Sequence, residues 1–137
     1  MTAFERAFRP TPDELPPARA ALRTWLRQVG VEGDDATANV LLVTSELVTN
    51  GVFHDGGDLI TLRASRQEGD VSIEVTTVDH APGKRPTYRD VESTMDGGRG
   101  LAIVQALSHD YHVARQNHKR VSTCRITTTP ETASTRR

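Results

Sequence analysis

The chain has 137 residues, a mass of 15.0 kDa and a single cysteine, which fits one domain with a packed core and excludes an internal disulfide framework. Lys plus Arg is 17 and Asp plus Glu is 18, giving a net charge of −1 and a pI near 6.5, so the basic excess of a general nucleic-acid binder is absent. No run approaches the ~20 apolar residues of a membrane span, and the opening MTAFERAF carries no apolar secretory segment, so a cytoplasmic protein without membrane contact is expected.

Aromatic residues are only 4% of the chain, so the core must come from Val, Leu, Ile and Ala. Phe4 to Phe8 alternates weakly and reads as a short edge strand. Thr11-Pro12-Asp13-Glu14 reads as a helix start, with a capping hydroxyl, an early proline and acids in the first turn. Ala18, Leu22, Trp25, Leu26 and Val29 then recur at helical spacing, and Gly30 is the expected stop. A second helix is expected from about Ala36 to His54, opened by Gly33-Asp34-Asp35 and closed by Asp55-Gly56-Gly57-Asp58. Its apolar residues, among them Val40, Leu41, Val43, Leu47 and Val48, fall on more than one side, which predicts a sandwiched helix.

Leu59 to Ala64 and Val71 to Val78 alternate and flank the turn Gln67-Glu68-Gly69-Asp70, a hairpin pattern. His80 to Gly98 reads as a long loop, of a length that is usually functional. Gly100 to Ser108 reads as a helix, and Tyr111 to Arg115 and Val121 to Thr128 as two final strands. The order predicts an α+β two-layer sandwich over residues 1–129, with helices on one face of a mixed β-sheet and a disordered tail over 130–137.

Three segments carry chemistry. In Glu46-Leu47-Val48-Thr49-Asn50, the carboxylate and the carboxamide stand four apart, on one face of a helix where polar groups are costly to bury without partners. An asparagine oxygen suits Mg²⁺, and a carboxylate suits proton removal from a hydroxyl. An internal hydrogen bond or a solvent-facing pair is the plainer alternative. In Val75-Thr76-Thr77-Val78-Asp79, an acid closes a strand before His80-Ala81-Pro82-Gly83, where it can accept from an exocyclic amine such as adenine's or simply start a turn. In Asp96-Gly97-Gly98-Arg99-Gly100-Leu101, glycines precede a helix whose first backbone N–H groups can cradle phosphate. There is no P-loop lysine motif, and the glycines do not follow a strand as in a dinucleotide fold. His109, His112, His118 and Cys124 lack the paired spacing of a zinc site, and Cys124 reads as a small buried apolar residue.

Taken together, these segments resemble the histidine-kinase-like ATPase superfamily, the Bergerat-type fold shared by gyrase, chaperone, histidine kinase and mismatch-repair ATPases. Within it the chain most resembles the anti-sigma-factor serine/threonine kinases of partner-switching systems. "SELVTNGVFH" resembles that family's N-box, "VDHAPG" stands in the place of the first glycine box, and "GGRGLAIV" resembles the second. The resemblance spans roughly residues 12–128. It implies Mg-ATP as cofactor, Glu46 as the catalytic base and Asn50 as the Mg²⁺ ligand. Asp79 would be the adenine acid, and Gly83, Gly98, Gly100 and Leu101 would belong to the nucleotide-binding glycine boxes. His80 to Gly98 would be the lid over the phosphates. Arg99 is then the first choice of cation at the transferring charge, ahead of Arg85 and Arg89, and Thr123 on the last strand is a second adenine contact. The implied partners are an anti-anti-sigma protein of the STAS type and a sigma factor, with a homodimer as the assembly and no direct contact with nucleic acid. Two departures are visible. Ala81-Pro82 replaces the usual glycine region of the first box and stiffens it, which favours an alternative: an inactive module that binds a sigma factor or antagonist with the same fold. Gly51 stands where the family often has Ala, a change expected to be neutral for packing but to weaken the helix by roughly 1 kcal/mol.

Overall fold

The structure is a computed structural model of the chain, and it describes residues 3–55, 59–78, 96–116 and 118–128. Five strands and three helices are found among them: β1 (Ala3–Phe8), α1 (Leu15–Gln28), α2 (Asp34–Asp55), β2 (Leu59–Gln67), β3 (Asp70–Val78), α3 (Asp96–Leu107), β4 (His109–Gln116) and β5 (Lys119–Thr127). The strands form one sheet in the order β1-β2-β3-β5-β4. Every neighbouring pair is antiparallel, so the expected mixed sheet is corrected to a fully antiparallel one. The two hairpins, β2–β3 and β4–β5, meet along β3 and β5 with opposed directions, which leaves no parallel neighbour.

Local chemistry explains most of the boundaries. The Thr11 hydroxyl and carbonyl accept from the Glu14 and Leu15 amides, at 3.4 and 3.1 Å, and build a turn ahead of α1. Pro16 and Pro17 then fill the first helical positions, where a missing N–H costs nothing, so α1 begins at Leu15, after the expected start. Gly30 takes φ +86°, and its amide and that of Val31 close onto the Arg27 and Leu26 carbonyls, as the expected C-terminal cap. Glu68 and Gly69 form the two-residue turn between β2 and β3, with Gln67 paired to Asp70. α3 starts at Asp96, four residues before the expected Gly100, so Gly97, Gly98 and Gly100 belong to the helix. The expected tail beyond 129 and most of the expected loop lie outside the described residues.

The core lies between the helices and one face of the sheet. Period-2 alternation turns Ile60, Leu62 and Ala64 of β2, Val71, Ile73 and Val75 of β3, and Cys124 and Ile126 of β5 toward the helices. They meet Leu22 and Leu26 of α1, Val40, Val43, Leu47 and Val48 of α2, and Val104 of α3. Trp25 is buried as its spacing predicts and packs its ring 5.9 Å from that of Phe4, which fixes the edge strand β1 to α1. No described helix is long and apolar enough to cross a membrane.

Candidate nucleotide-binding site

The site is built where α2 meets the start of α3. Glu46 and Asn50 lie one turn apart on α2, and Gly100 of α3 is set directly against both. A methyl at position 100 would overlap the Glu46 carboxylate, standing 3.2 Å from its Cδ and 3.8 Å from Asn50 Oδ1. Only glycine allows this approach without displacing the acid. Asn50 is 5% exposed, and among the described residues neither its carboxamide nor the Glu46 carboxylate has a hydrogen-bond or ion-pair partner. A carboxamide that is not tied up by the protein keeps its oxygen available to an external ligand. The donor set fits Mg-ATP: an amide oxygen for a hard cation, a carboxylate beside it, and the N-terminal end of a glycine-rich helix for phosphate.

The same end of the helix–sheet interface is lined by polar side chains. Gly51 follows Asn50 and lies on Thr77 of β3: a methyl there would come within 2.7 Å of Thr77 Cγ2. The expectation that Gly51 is neutral for packing is therefore corrected, because Ala would press on a stiff β-branched side chain. Thr77 pairs with Arg120 of β5, and the neighbouring Val75 pairs with Ser122. Thr77 and Ser122 are each 1% exposed, and Arg120 is buried with one guanidinium nitrogen 3.3 Å from Ser122 Oγ. A buried guanidinium carries a large desolvation cost, and its Nε has no partner among the described residues.

The structure thus brings Glu46, Asn50 and Gly100 together. Leu101 follows in α3, half-buried, and Gly98 and Arg99 stand in that helix's first turn. Asp79, Gly83, Arg85 and Arg89, with Ala81-Pro82, lie outside the described residues. Thr123 is not brought together with Glu46 and Asn50, unlike the expectation for it. Strand alternation turns it to the opposite face of the sheet, beside Glu74 and His112, in a concavity of about 780 Å³ that also includes Arg63 and Arg125. Ser122 is the β5 residue on the site side. The signal for it was available: Cys124 and Ile126 are apolar and share its parity, so residue 122 had to face the core. Thr77 and Arg120 were missed for the same reason. Cys124 is buried as expected, and burial pushes its thiol up to about 11, partly offset by a hydrogen bond with Ser108.

The family model described as histidine kinase-like ATPase domain matches residues 8–126. No curated protein matches. Among solved structures, the crystal structure of the RsbU and RsbW domains of Rv1364c from Mycobacterium tuberculosis is similar, with a TM-score of 0.66 and 20% sequence identity. That match covers 93% of this chain but 32% of the other, so the chain spans about a third of that protein's length and the likeness is one of fold. The family model covers nearly all the described elements, and the chain belongs to the histidine kinase-like ATPase domain family.

Proposed function

We propose that the protein binds Mg-ATP and phosphorylates a serine or threonine of an anti-anti-sigma partner of the STAS type, regulating a sigma factor by partner switching. The observation that carries this reading is the seating of Gly100 against Glu46 and Asn50, which sets a carboxylate and an unpartnered carboxamide at the head of a glycine-rich helix. Mg-ATP, when bound, supplies the phosphoryl group and the charge neutralisation its transfer needs. In this reading the Asn50 oxygen holds the cation, and the first N–H groups of α3 hold phosphate oxygens. Glu46 accepts the proton of the attacking hydroxyl, Arg99 offsets charge on the transferring group, and Asp79 takes the adenine amine. Thr77, Ser122 and Arg120 form the polar floor beside them. The homodimer belongs to the same proposal and is read by sedimentation.

The test is calorimetric titration with ATP, with and without Mg²⁺, beside Asn50→Ala and Glu46→Ala. Binding should require Mg²⁺ and be lost in Asn50→Ala. Glu46→Ala should keep binding and lower partner phosphorylation by at least about 100-fold. An undiminished rate removes Glu46 as the base. The stiffened sequence Ala81-Pro82 favours a second reading, a module that sequesters a sigma factor or antagonist without catalysis. Stable complex formation with no nucleotide bound at millimolar ATP would select it.

A further inference from the structure

A groove of about 580 Å³ runs between α1 and α2. One wall is cationic: Arg19, Arg23 and Arg27 follow each other at one-turn intervals on α1 and all line it. Arg19 is committed inside the fold, donating to the Ser45 hydroxyl on α2, one residue before Glu46. Arg23 and Arg27 are exposed, and neither has an ion-pair or hydrogen-bond partner among the described residues. The other wall is apolar, formed by Ala38, Leu41 and Leu42 of α2, and Leu42 remains 40% exposed. Glu32 and Asp34 close one end, so an acidic ligand is attracted along the arginines and repelled beyond them. Two unpaired guanidinium groups facing an exposed leucine match one class of ligand: a segment with carboxylates on one side and apolar groups on the next.

We propose that this groove docks an acidic amphipathic helix of a partner protein. Acidic residues at one-turn spacing meet Arg23 and Arg27, and the adjoining apolar stripe covers Leu42, as helices commonly dock in grooves. Through Arg19 and Ser45 the docked helix lies against the segment that carries Glu46. The proposal rests on the groove alone and stands or falls separately from nucleotide binding.

The test uses a synthetic helical peptide with Glu at three successive one-turn positions and Leu beside each, and a matched peptide with Lys in place of Glu. Binding to the full chain is measured by fluorescence anisotropy. The Glu peptide should bind, weaken with added salt, and lose about tenfold in affinity in Arg23→Glu/Arg27→Glu. The Lys peptide should bind that variant better than it binds the unaltered chain. Leu42→Ser should also weaken the Glu peptide. Unchanged ATP titration and an unchanged circular dichroism melt show that the variants are folded. Equal binding of both peptides, indifference to the charge reversal, or no binding at millimolar peptide would overturn the proposal. So would tighter binding to phosphatidylserine vesicles than to the Glu peptide through the same arginines, which would assign the groove to a membrane surface.

Discussion

The two faces of the sheet are made from the same strands and hold the molecule by different means. On the helix-facing side the residues are Ile60, Leu62, Ala64, Val71, Ile73, Val75, Cys124 and Ile126, all buried. On the open side the neighbouring positions are Glu5, Arg63, Glu74, Thr123 and Arg125. There Arg63 bridges Glu5 and Glu74 at 3.4 and 3.0 Å, and Arg125 bridges Asp70 and Asp110 at 3.1 and 3.4 Å, with His109 beside both acids. Apolar burial contributes about 25 cal/mol per Å², whereas exposed ion pairs contribute about 0–1 kcal/mol each. Stability should therefore sit on the first face. Toward the end where Gly51 packs on Thr77, the same face turns polar, at Thr77, Arg120 and Ser122.

This contrast can be broken or sharpened by substitution. Ile73→Ala, at the centre of the helix-facing side, should cost about 2–5 kcal/mol in urea unfolding. A loss below 1 kcal/mol would erase the distinction between the faces. The buried thiol gives a pH signature. Its folded value of about 11 lies above the ordinary value of 9.0, so the folded state holds this proton more tightly. The resulting stability is present below pH ~9 and is lost as pH rises through ~11, by roughly 2–3 kcal/mol. Parallel unfolding of Cys124→Ala, which has no thiol to ionise, should lack that component of the alkaline loss. Gly51→Ala should be smaller in effect. Contact with Thr77 costs about 1–3 kcal/mol, and the gain in helix propensity returns about 1 kcal/mol. Adding Thr77→Ser, which removes the Cγ2 methyl, should recover most of the net loss. Smallest of all, Arg63→Ala on the open face should change stability by less than about 1 kcal/mol, and less still in high salt.

Legibility in the sequence followed the range of the physics involved. Alternation in Leu59–Ala64 and Val71–Val78, the Glu68-Gly69 turn and the Gly30 stop are local, and each appears where its pattern puts it. The pairing of Glu46 with Asn50 was legible from helical spacing, whereas the glycine motif marked Gly100 only as a nucleotide-binding glycine and its seating against both comes from the fold. The direction of β3 against β5 was not legible, because it is decided between segments far apart in sequence. Nor was the start of α3: three glycines within five residues argue against a helix, and packing of α3 on α2 overrides that preference. Thr123 lies on the open face of the sheet, one residue from the helix-facing Ser122. In a strand a single step reverses the face, so an identification made by motif alone carries more risk there than on a helix.

The sheet order has a consequence for how the chain folds. Only β2–β3 and β4–β5 are joined through short turns. Phe8 must find Ile60, and Val78 must find Lys119, before β1 and β5 can add to the sheet. These distant pairings make folding slow relative to a helical protein of this size, with the β2–β3 hairpin able to form ahead of its neighbours. They also make the connection between β3 and α3 thermodynamically forgiving of length. Doubling a flexible loop adds only about 0.6 kcal/mol to its closure cost. Insertions between Val78 and Asp96 should therefore change the folding rate and stability only modestly, even where they disturb function.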